Sequence, residues 1–144
     1  MACKQVTIRT FILGRSAKPW PLAATDTPTM QNHRPNVLVI CGRNKKRSRT
    51  AEHIFKNDDR FSVRSAGISP SSDRVVTEKD INWADIVFVM ERRQASRISS
   101  AFAHLDLPRI EVLDIDDVYE FMDEELIDLL QDRINGALKL VFEI

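Results

Sequence analysis

The sequence is poor in cysteine and has no long apolar run. Only two of its 144 residues are cysteine, Cys3 and Cys41, which argues against a disulfide scaffold and favours a reducing, cytoplasmic compartment. No stretch approaches the ~18 apolar residues of a membrane-spanning helix, so we expect no membrane association. None of the three histidines has the spacing of a metal site, so we expect no metal and no other cofactor: His33, His53 and His104.

The chain also lacks an excess of charge of either sign. Its 21 basic residues equal its 21 acidic residues, so the molecule as a whole has no electrostatic attraction for nucleic acid or for an anionic membrane. With 43% hydrophobic and 29% charged residues, the composition is that of an ordinary globular domain with a single core. We expect this domain to be a monomer.

Residues 1–35 differ from the rest of the chain. They contain five basic residues and one acidic residue, and prolines interrupt them at Pro19, Pro21 and Pro28. Residues 6–13 could pair as a strand, but the segment has three other interpretations: a disordered tail, a weak targeting peptide, or a start codon assigned too early. The last is preferred, with Met30 as the alternative start. We therefore expect the working domain to span residues 36–144.

The most informative stretch is residues 37–50. Four apolar, β-favouring residues lead directly into Cys41, a short polar loop follows, and a helix begins near Arg47 and Ser48. Such a loop can direct several backbone N–H groups at one point, and the helix adds its positive end there. A phosphate dianion fits this arrangement, and Arg47 can bind two of its oxygens with its planar guanidinium. The same positive field favours the thiolate of Cys41, so one loop can bind a phosphoryl group and attack it.

The rest of the domain alternates strands and helices. The expected strands are residues 37–40, 61–65, 85–90 and 110–113. The expected helices are residues 48–56, a helix that Thr77 and Asp80 cap, residues 92–103, and a long amphipathic helix that Asp123 caps. This alternation predicts a doubly wound α/β fold: a four-stranded parallel sheet in the order 2-1-3-4, with helices on both faces. Ligands of such sheets bind at the carboxyl ends of the strands, where Cys41 lies.

Cys41, five residues, Arg47 and Ser48 form the C-x5-R-[ST] pattern of cysteine-dependent phosphatases. Its place after the first strand resembles the low-molecular-weight protein tyrosine phosphatase family, whose loop typically reads C-x-G-N-x-C-R-S-P and leads into A-E-x-x-F. The further matches are Asn44, Ala51, Glu52 and Phe55. The departures are Arg43 for the usual Gly, Lys46 for a second Cys and Arg49 for Pro.

The resemblance implies a role for each residue of this loop. Cys41 is the expected nucleophile, Asn44 holds the shape of the loop, and Ser48 stabilises the leaving thiolate. The expected phosphate-binding residues are Gly42, Arg43, Asn44, Lys45, Lys46, Arg47 and Ser48. The positive charges of Lys45 and Lys46 would also raise the local potential that attracts an anion.

A phosphatase of this kind needs an acid that protonates the leaving group, and such a proton donor contributes about 10²–10⁴-fold to the rate. The candidates follow the fourth strand, at the same edge of the sheet as Cys41. Asp117, followed by Val118 and Tyr119, is similar to the Asp-Pro-Tyr segment in which the family carries its acid. Asp116 and Asp114 remain alternatives. Tyr119 occupies the position of an aromatic wall of the substrate pocket.

The sequence therefore predicts a phosphatase that hydrolyses phosphate monoesters through a phosphocysteine on Cys41, with protein phosphotyrosine as the first substrate class and small phosphate monoesters as the second. One alternative is a phosphate- or phosphopeptide-binding module without turnover. Another is a protein similar to arsenate reductases, which need further cysteines that residues 42–144 do not contain.

Overall fold

The computed structural model describes residues 9–11 and residues 34–144, and these form a five-stranded sheet with helices on both faces. The strands are β1 Arg9–Phe11, β2 Asn36–Cys41, β3 Ser62–Gly67, β4 Ile86–Val89 and β5 Arg109–Val112. Their spatial order is β1-β5-β4-β2-β3. Strands β2 to β5 are parallel, whereas β1 is antiparallel to β5.

The four parallel strands have the order that the sequence predicted. Counted from β2 along the chain, their arrangement is 2-1-3-4, so the expected doubly wound architecture is confirmed. The fifth strand adds three residues from the N-terminal segment, which had been considered as a possible strand. Arg9 lies opposite Val112 and Phe11 lies opposite Ile110. The expectations for residues 1–8 and 12–33 lie outside the described part of the chain.

Four helices connect the parallel strands or follow them: α1 Arg47–Phe55, α2 Glu78–Trp83, α3 Arg92–Ala101 and α4 Glu124–Phe142. The predicted caps are confirmed. Thr77 and Asp80 form a capping box at the start of α2, and the Asp123 side chain accepts a hydrogen bond from the Glu125 N–H at the start of α4. No helix in the described ranges is both long and apolar enough to cross a lipid bilayer.

The core lies on both faces of the sheet because the central strands are completely buried. All the residues of β4 and residues 37–40 of β2 have no exposed surface. On one face, alternate strand residues pack against Phe55 of α1 and Leu130 of α4. On the other face they pack against Ile81 of α2 and Ile98 of α3. The helices packed on both faces of the sheet fix β2, and with it the position at which the chain leaves the sheet at Cys41.

Three chain segments meet at the carboxyl edge of the sheet. In the register of the sheet, Ile40 lies beside Val89 and Val89 lies beside Val112. The loop after β2, the turn after β4 and the acidic segment after β5 therefore emerge next to one another. This edge is where a doubly wound sheet places its ligand site.

Candidate active site

Residues 42–46 form a tight loop between β2 and α1, and the carbonyl groups of its first two residues are held by the neighbouring segment 68–73. The Gly42 carbonyl accepts hydrogen bonds from the N–H groups of Ile68 and Ser69, and the Arg43 carbonyl accepts one from Asp73. The backbone N–H groups of residues 43–46 donate no hydrogen bond to any other described residue. These donors, together with the positive end of α1, form a concave site for an anion.

The segment 67–73 supports this loop from outside. The Ser72 hydroxyl lies 3.2 Å from the Gly42 carbonyl and 2.6 Å from the Ser69 carbonyl. Gly67 lies so close to the loop that a Cβ atom there would overlap Ser72 and come within 2.8 Å of the Arg43 carbonyl carbon. Residues 69–73 lie at the surface and are partly exposed, and they also hold the backbone of residues 42 and 43 in place.

A chain of buried hydrogen bonds holds the two ends of the loop together. Asn44, at a positive φ of 57°, donates from Nδ2 to Ser48 Oγ at 2.9 Å and to Ser65 Oγ at 3.0 Å. Ser65 donates in turn to Glu52 at 2.5 Å. The Ser48 hydroxyl lies 3.0 Å from Cys41 Sγ. Because Ser48 Oγ already accepts from Asn44, its hydrogen is available to a Cys41 thiolate.

Arg47 is almost entirely buried, with 4% of its surface exposed, and its guanidinium is held in place. The Nη1 atom donates to the Ile115 carbonyl at 2.7 Å and lies 3.4 Å from a carboxylate oxygen of Glu91. The Nε and Nη2 hydrogens then form the edge of the fork that a phosphate can bind. Glu91, which sequence reasoning missed, follows β4 at the same sheet edge.

The structure brings Asp117 close to Arg47 and leaves Asp116 and Tyr119 outside the cavity. Asp117 Oδ1 lies 3.7 Å from Arg47 Nε, and its side chain is 65% exposed. The Tyr119 ring packs partly against the core, and its hydroxyl donates to Glu125 at 3.2 Å. Partial desolvation and this hydrogen bond to a carboxylate raise the pKa of Tyr119. Its role in a substrate pocket stays a prediction.

A cavity of about 390 Å³ opens above Cys41, between the loop and the start of α3. Its lining residues are Cys41, Gly42, Arg43, Lys45, Lys46, Arg47, Arg93, Gln94 and Asp117. Five of these side chains are basic and one is acidic, so an anion is attracted to the cavity. Lys45 and Lys46 form exposed ion pairs with Asp73 and Glu120, at 3.2 Å and 3.3 Å.

Two of these lining residues, Arg93 and Gln94, were not expected from the sequence, which predicted only that they begin a helix over residues 92–103. Gln94 is 3% exposed. The turn after β4 directs both residues toward the loop, and the only available signal was their position at a strand's carboxyl end. No group of three or more side chains suited to a metal ion occurs among the described residues.

Comparison with known proteins gives the fold. No family model and no curated protein matches the chain. Solved structures do match, among them a low-molecular-weight protein tyrosine phosphatase from Streptococcus pyogenes, at 17% identity and a TM-score of 0.62 over 74% of this chain and 93% of that chain. The tyrosine phosphatase Wzb from Escherichia coli K30 matches at 19% identity and a TM-score of 0.59, over 76% of this chain and 99% of Wzb.

The YwlE arginine phosphatase from Geobacillus stearothermophilus also matches, at 21% identity and a TM-score of 0.57. The match covers 74% of this chain and 94% of YwlE. This chain therefore has the fold of the low-molecular-weight protein tyrosine phosphatases. The resemblance that was first seen in the sequence of the phosphate loop is therefore also supported by the fold of residues 36–144.

Proposed function

We propose that this chain is a phosphatase that hydrolyses phosphate monoesters through a phosphocysteine on Cys41. The observation that carries the proposal is the arrangement of three groups around one cavity. Cys41 lies at its base, the fork of Arg47 borders it, and Asp117 lies 3.7 Å from Arg47. A module that only bound phosphate would need the loop and Arg47, but it would need neither a thiol nor a carboxyl group there.

In the first step, the Cys41 thiolate attacks phosphorus and the bond from phosphorus to the ester oxygen breaks. Asp117 gives its proton to the departing oxygen, so the alcohol or phenol leaves neutral. The backbone N–H groups of residues 43–46 and the guanidinium of Arg47 bind the non-bridging oxygens. They neutralise the charge of the phosphoryl group as it is transferred.

In the second step, a water molecule attacks phosphorus and the sulfur–phosphorus bond breaks. The Asp117 carboxylate takes a proton from this water, which reverses its role in the first step. The leaving thiolate of Cys41 accepts a hydrogen bond from the Ser48 hydroxyl, which lies 3.0 Å away. Inorganic phosphate leaves the site, and the protein returns to its starting state.

For the substrate, we propose protein phosphotyrosine. Two of the structures with this fold are described as tyrosine phosphatases. Val118, next to the proposed acid, does not line the cavity, but it is 73% exposed and is accessible to the aromatic ring of a substrate. The neighbour described as an arginine phosphatase suggests phosphoarginine as a competitor. The basic lining at Arg43, Lys45 and Arg93 would repel the guanidinium of that substrate, and it favours acidic residues beside the phosphotyrosine.

The test is hydrolysis of an aryl phosphate by the purified protein and by Cys41→Ser. We expect turnover by the wild type and none by the variant, while inorganic phosphate still binds to the variant because the backbone donors remain. Trapping of a phosphorylated Cys41 after rapid acid quench would identify the intermediate. Phosphate binding without any wild-type turnover would instead support the phosphate-binding module.

A further inference from the structure

Gln94 has a side-chain amide whose two ends have different surroundings. The side-chain oxygen accepts hydrogen bonds from the backbone N–H groups of Met90 at 2.9 Å and Glu91 at 3.1 Å. Both partners are donors, so the atom between them is the oxygen and the orientation of the amide is fixed. The nitrogen must then point away from this turn.

The nitrogen points toward the phosphate loop. Gln94 lines the cavity, and its Nε2 atom lies 4.0 Å from the position that a Cβ atom would take on Gly42, the residue after the nucleophile. Nε2 has no hydrogen-bond acceptor within the described part of the chain. The residue as a whole is only 3% exposed, but it lines the cavity, so the nitrogen is accessible from there. Water or an oxygen of a ligand bound in the cavity can therefore accept its hydrogens.

We propose that the Gln94 Nε2 group donates a hydrogen bond to an oxygen of the phosphoryl group that binds over the loop. Gln94 would then contact the substrate and be more than the residue that caps α3. This inference rests on the proposed function, because it takes the anion of this cavity to be the phosphoryl group. The neighbouring Arg47 and Arg93 supply charge, whereas Gln94 supplies a neutral donor whose direction is fixed by two backbone groups.

The first test is Gln94→Glu, studied by calorimetric binding of inorganic phosphate. The substitution keeps an oxygen for the Met90 and Glu91 N–H groups and replaces only the nitrogen, and Glu suits this capping position. We expect a melting temperature within a few degrees of the wild type. At pH 7 we expect phosphate to bind at least about 100-fold more weakly, because a charged acceptor replaces the donor.

The pH dependence separates this contact from a structural role. When the introduced carboxyl group is protonated, it offers an O–H donor in place of the amide, so the difference from the wild type should shrink between pH 7 and about pH 4.5. Ser96→Glu is the matched control, since it adds the same charge at an exposed position of α3 that does not line the cavity. We expect it to bind phosphate nearly as the wild type does.

Gln94→Met removes the donor without adding charge, and it also removes the oxygen that accepts from the Met90 and Glu91 N–H groups, so its melting temperature is measured beside its affinity. We expect phosphate affinity about tenfold below the wild type, and the rise in KM for an aryl phosphate should exceed the fall in kcat. Normal phosphate affinity in both Gln94 variants, with turnover by the wild type, would overturn this inference and leave the proposed function intact. A wild-type protein that binds no phosphate would overturn both.

Discussion

Arg47 donates a hydrogen bond from Nη1 to the backbone carbonyl of Ile115, at 2.7 Å. This bond joins the end of the phosphate loop to the segment that carries Asp117, two residues further on. It orients the guanidinium so that Nε faces Asp117 at 3.7 Å. The residue that would bind the phosphate therefore also positions the residue that would protonate the leaving group.

The first prediction concerns this double role of Arg47. Arg47→Lys should lower kcat/KM for an aryl phosphate by at least about 100-fold, because an ammonium group cannot form a bidentate fork. Steady-state kinetics measures this effect. Arg49→Lys is the control, since Arg49 is exposed on the same helix and makes only a 3.7 Å ion pair with Asp73. Comparable activity in the two variants would contradict the assignment.

The second prediction concerns the general acid. Asp117→Ala should slow hydrolysis of phosphotyrosine by about 10²–10⁴-fold, and it should slow a nitrophenyl ester less, because that leaving group needs less protonation. Asp116→Ala should have little effect, since Asp116 does not line the cavity. Rates of hydrolysis of a series of aryl phosphates whose phenol leaving groups have increasing pKa would measure the difference. If Asp116→Ala alone shows the leaving-group dependence, the acid is Asp116.

The third prediction concerns stability and pH. Asp80 is buried at the start of α2, where Arg74 donates to it at 2.5 Å and the Thr77 N–H at 3.0 Å. Burial alone would raise the pKa of Asp80, but the hydrogen bonds from Arg74 and Thr77, together with the positive charge of Arg74, outweigh it and hold the pKa below its ordinary value. Ionised Asp80 therefore stabilises the folded state above the unfolded pKa of about 3.9, and this contribution is lost as the pH falls through the folded pKa.

Asp80→Asn should accordingly lower the free energy of unfolding by about 2 kcal/mol at pH 7, because it leaves Arg74 without its charged partner. Urea unfolding should give the same difference at pH 5 and a smaller one at pH 3. Glu78→Gln removes an exposed carboxylate from the same helix and should change little. If the difference in unfolding free energy between Asp80→Asn and the wild type grows toward acid pH, the pKa of Asp80 is not lowered by folding.

The fourth prediction concerns oxidation of the nucleophile. The family that the loop resembles has a second cysteine where this chain has Lys46, whose ammonium instead pairs with Glu120 at 3.3 Å. A sulfenic acid on Cys41 that meets no neighbouring thiol can proceed to sulfinic acid, which thiols do not reduce. Activity lost to prolonged peroxide treatment should therefore not return with dithiothreitol. Lys46→Cys should restore recovery, and Cys3→Ser should change nothing.

Mass spectrometry of the oxidised protein would distinguish the products directly. The expected product is Cys41 with two added oxygen atoms. Full recovery of the wild-type activity with dithiothreitol, or a disulfide between Cys3 and Cys41, would contradict the prediction.

The alternation of strands and helices and the place of the phosphate loop could be predicted from the sequence, because both depend on local patterns. The order of the parallel strands then followed from the doubly wound topology that such an alternation predicts. The apolar run of β4, the strand before Cys41 and the caps at Thr77 and Asp123 are short-range signals. The position of Asp117 at the same sheet edge as Cys41 was also predicted, since parallel strands bring their carboxyl ends to one edge. None of these predictions required knowledge of side-chain packing.

The supports of the loop could not be predicted in the same way. Ser72 and Gly42 lie 30 residues apart in the chain, and a serine-rich segment is typical of a solvated turn. Gln94 looks like any polar residue in the first turn of a helix until the turn after β4 orients it. These contacts depend on the packing of segments that are distant in sequence, which no local pattern records. The same holds for the pairing of β1 with β5.

The carbonyl groups of Gly42 and Arg43 are held by the segment 67–73, so the floor of the cavity is made of main-chain groups. The backbone groups that would contact an anion there stay in place whichever side chains occupy positions 43, 45 and 46, while the charges of those side chains set how strongly an anion is attracted. For protein engineering, these three positions line the cavity and can be substituted without changing the residues proposed to carry out the reaction. A library randomised at them would alter which phosphorylated molecules enter while the attacking thiol and its proton donor stay in place. The scaffold is therefore a suitable starting point for selecting new substrate preferences.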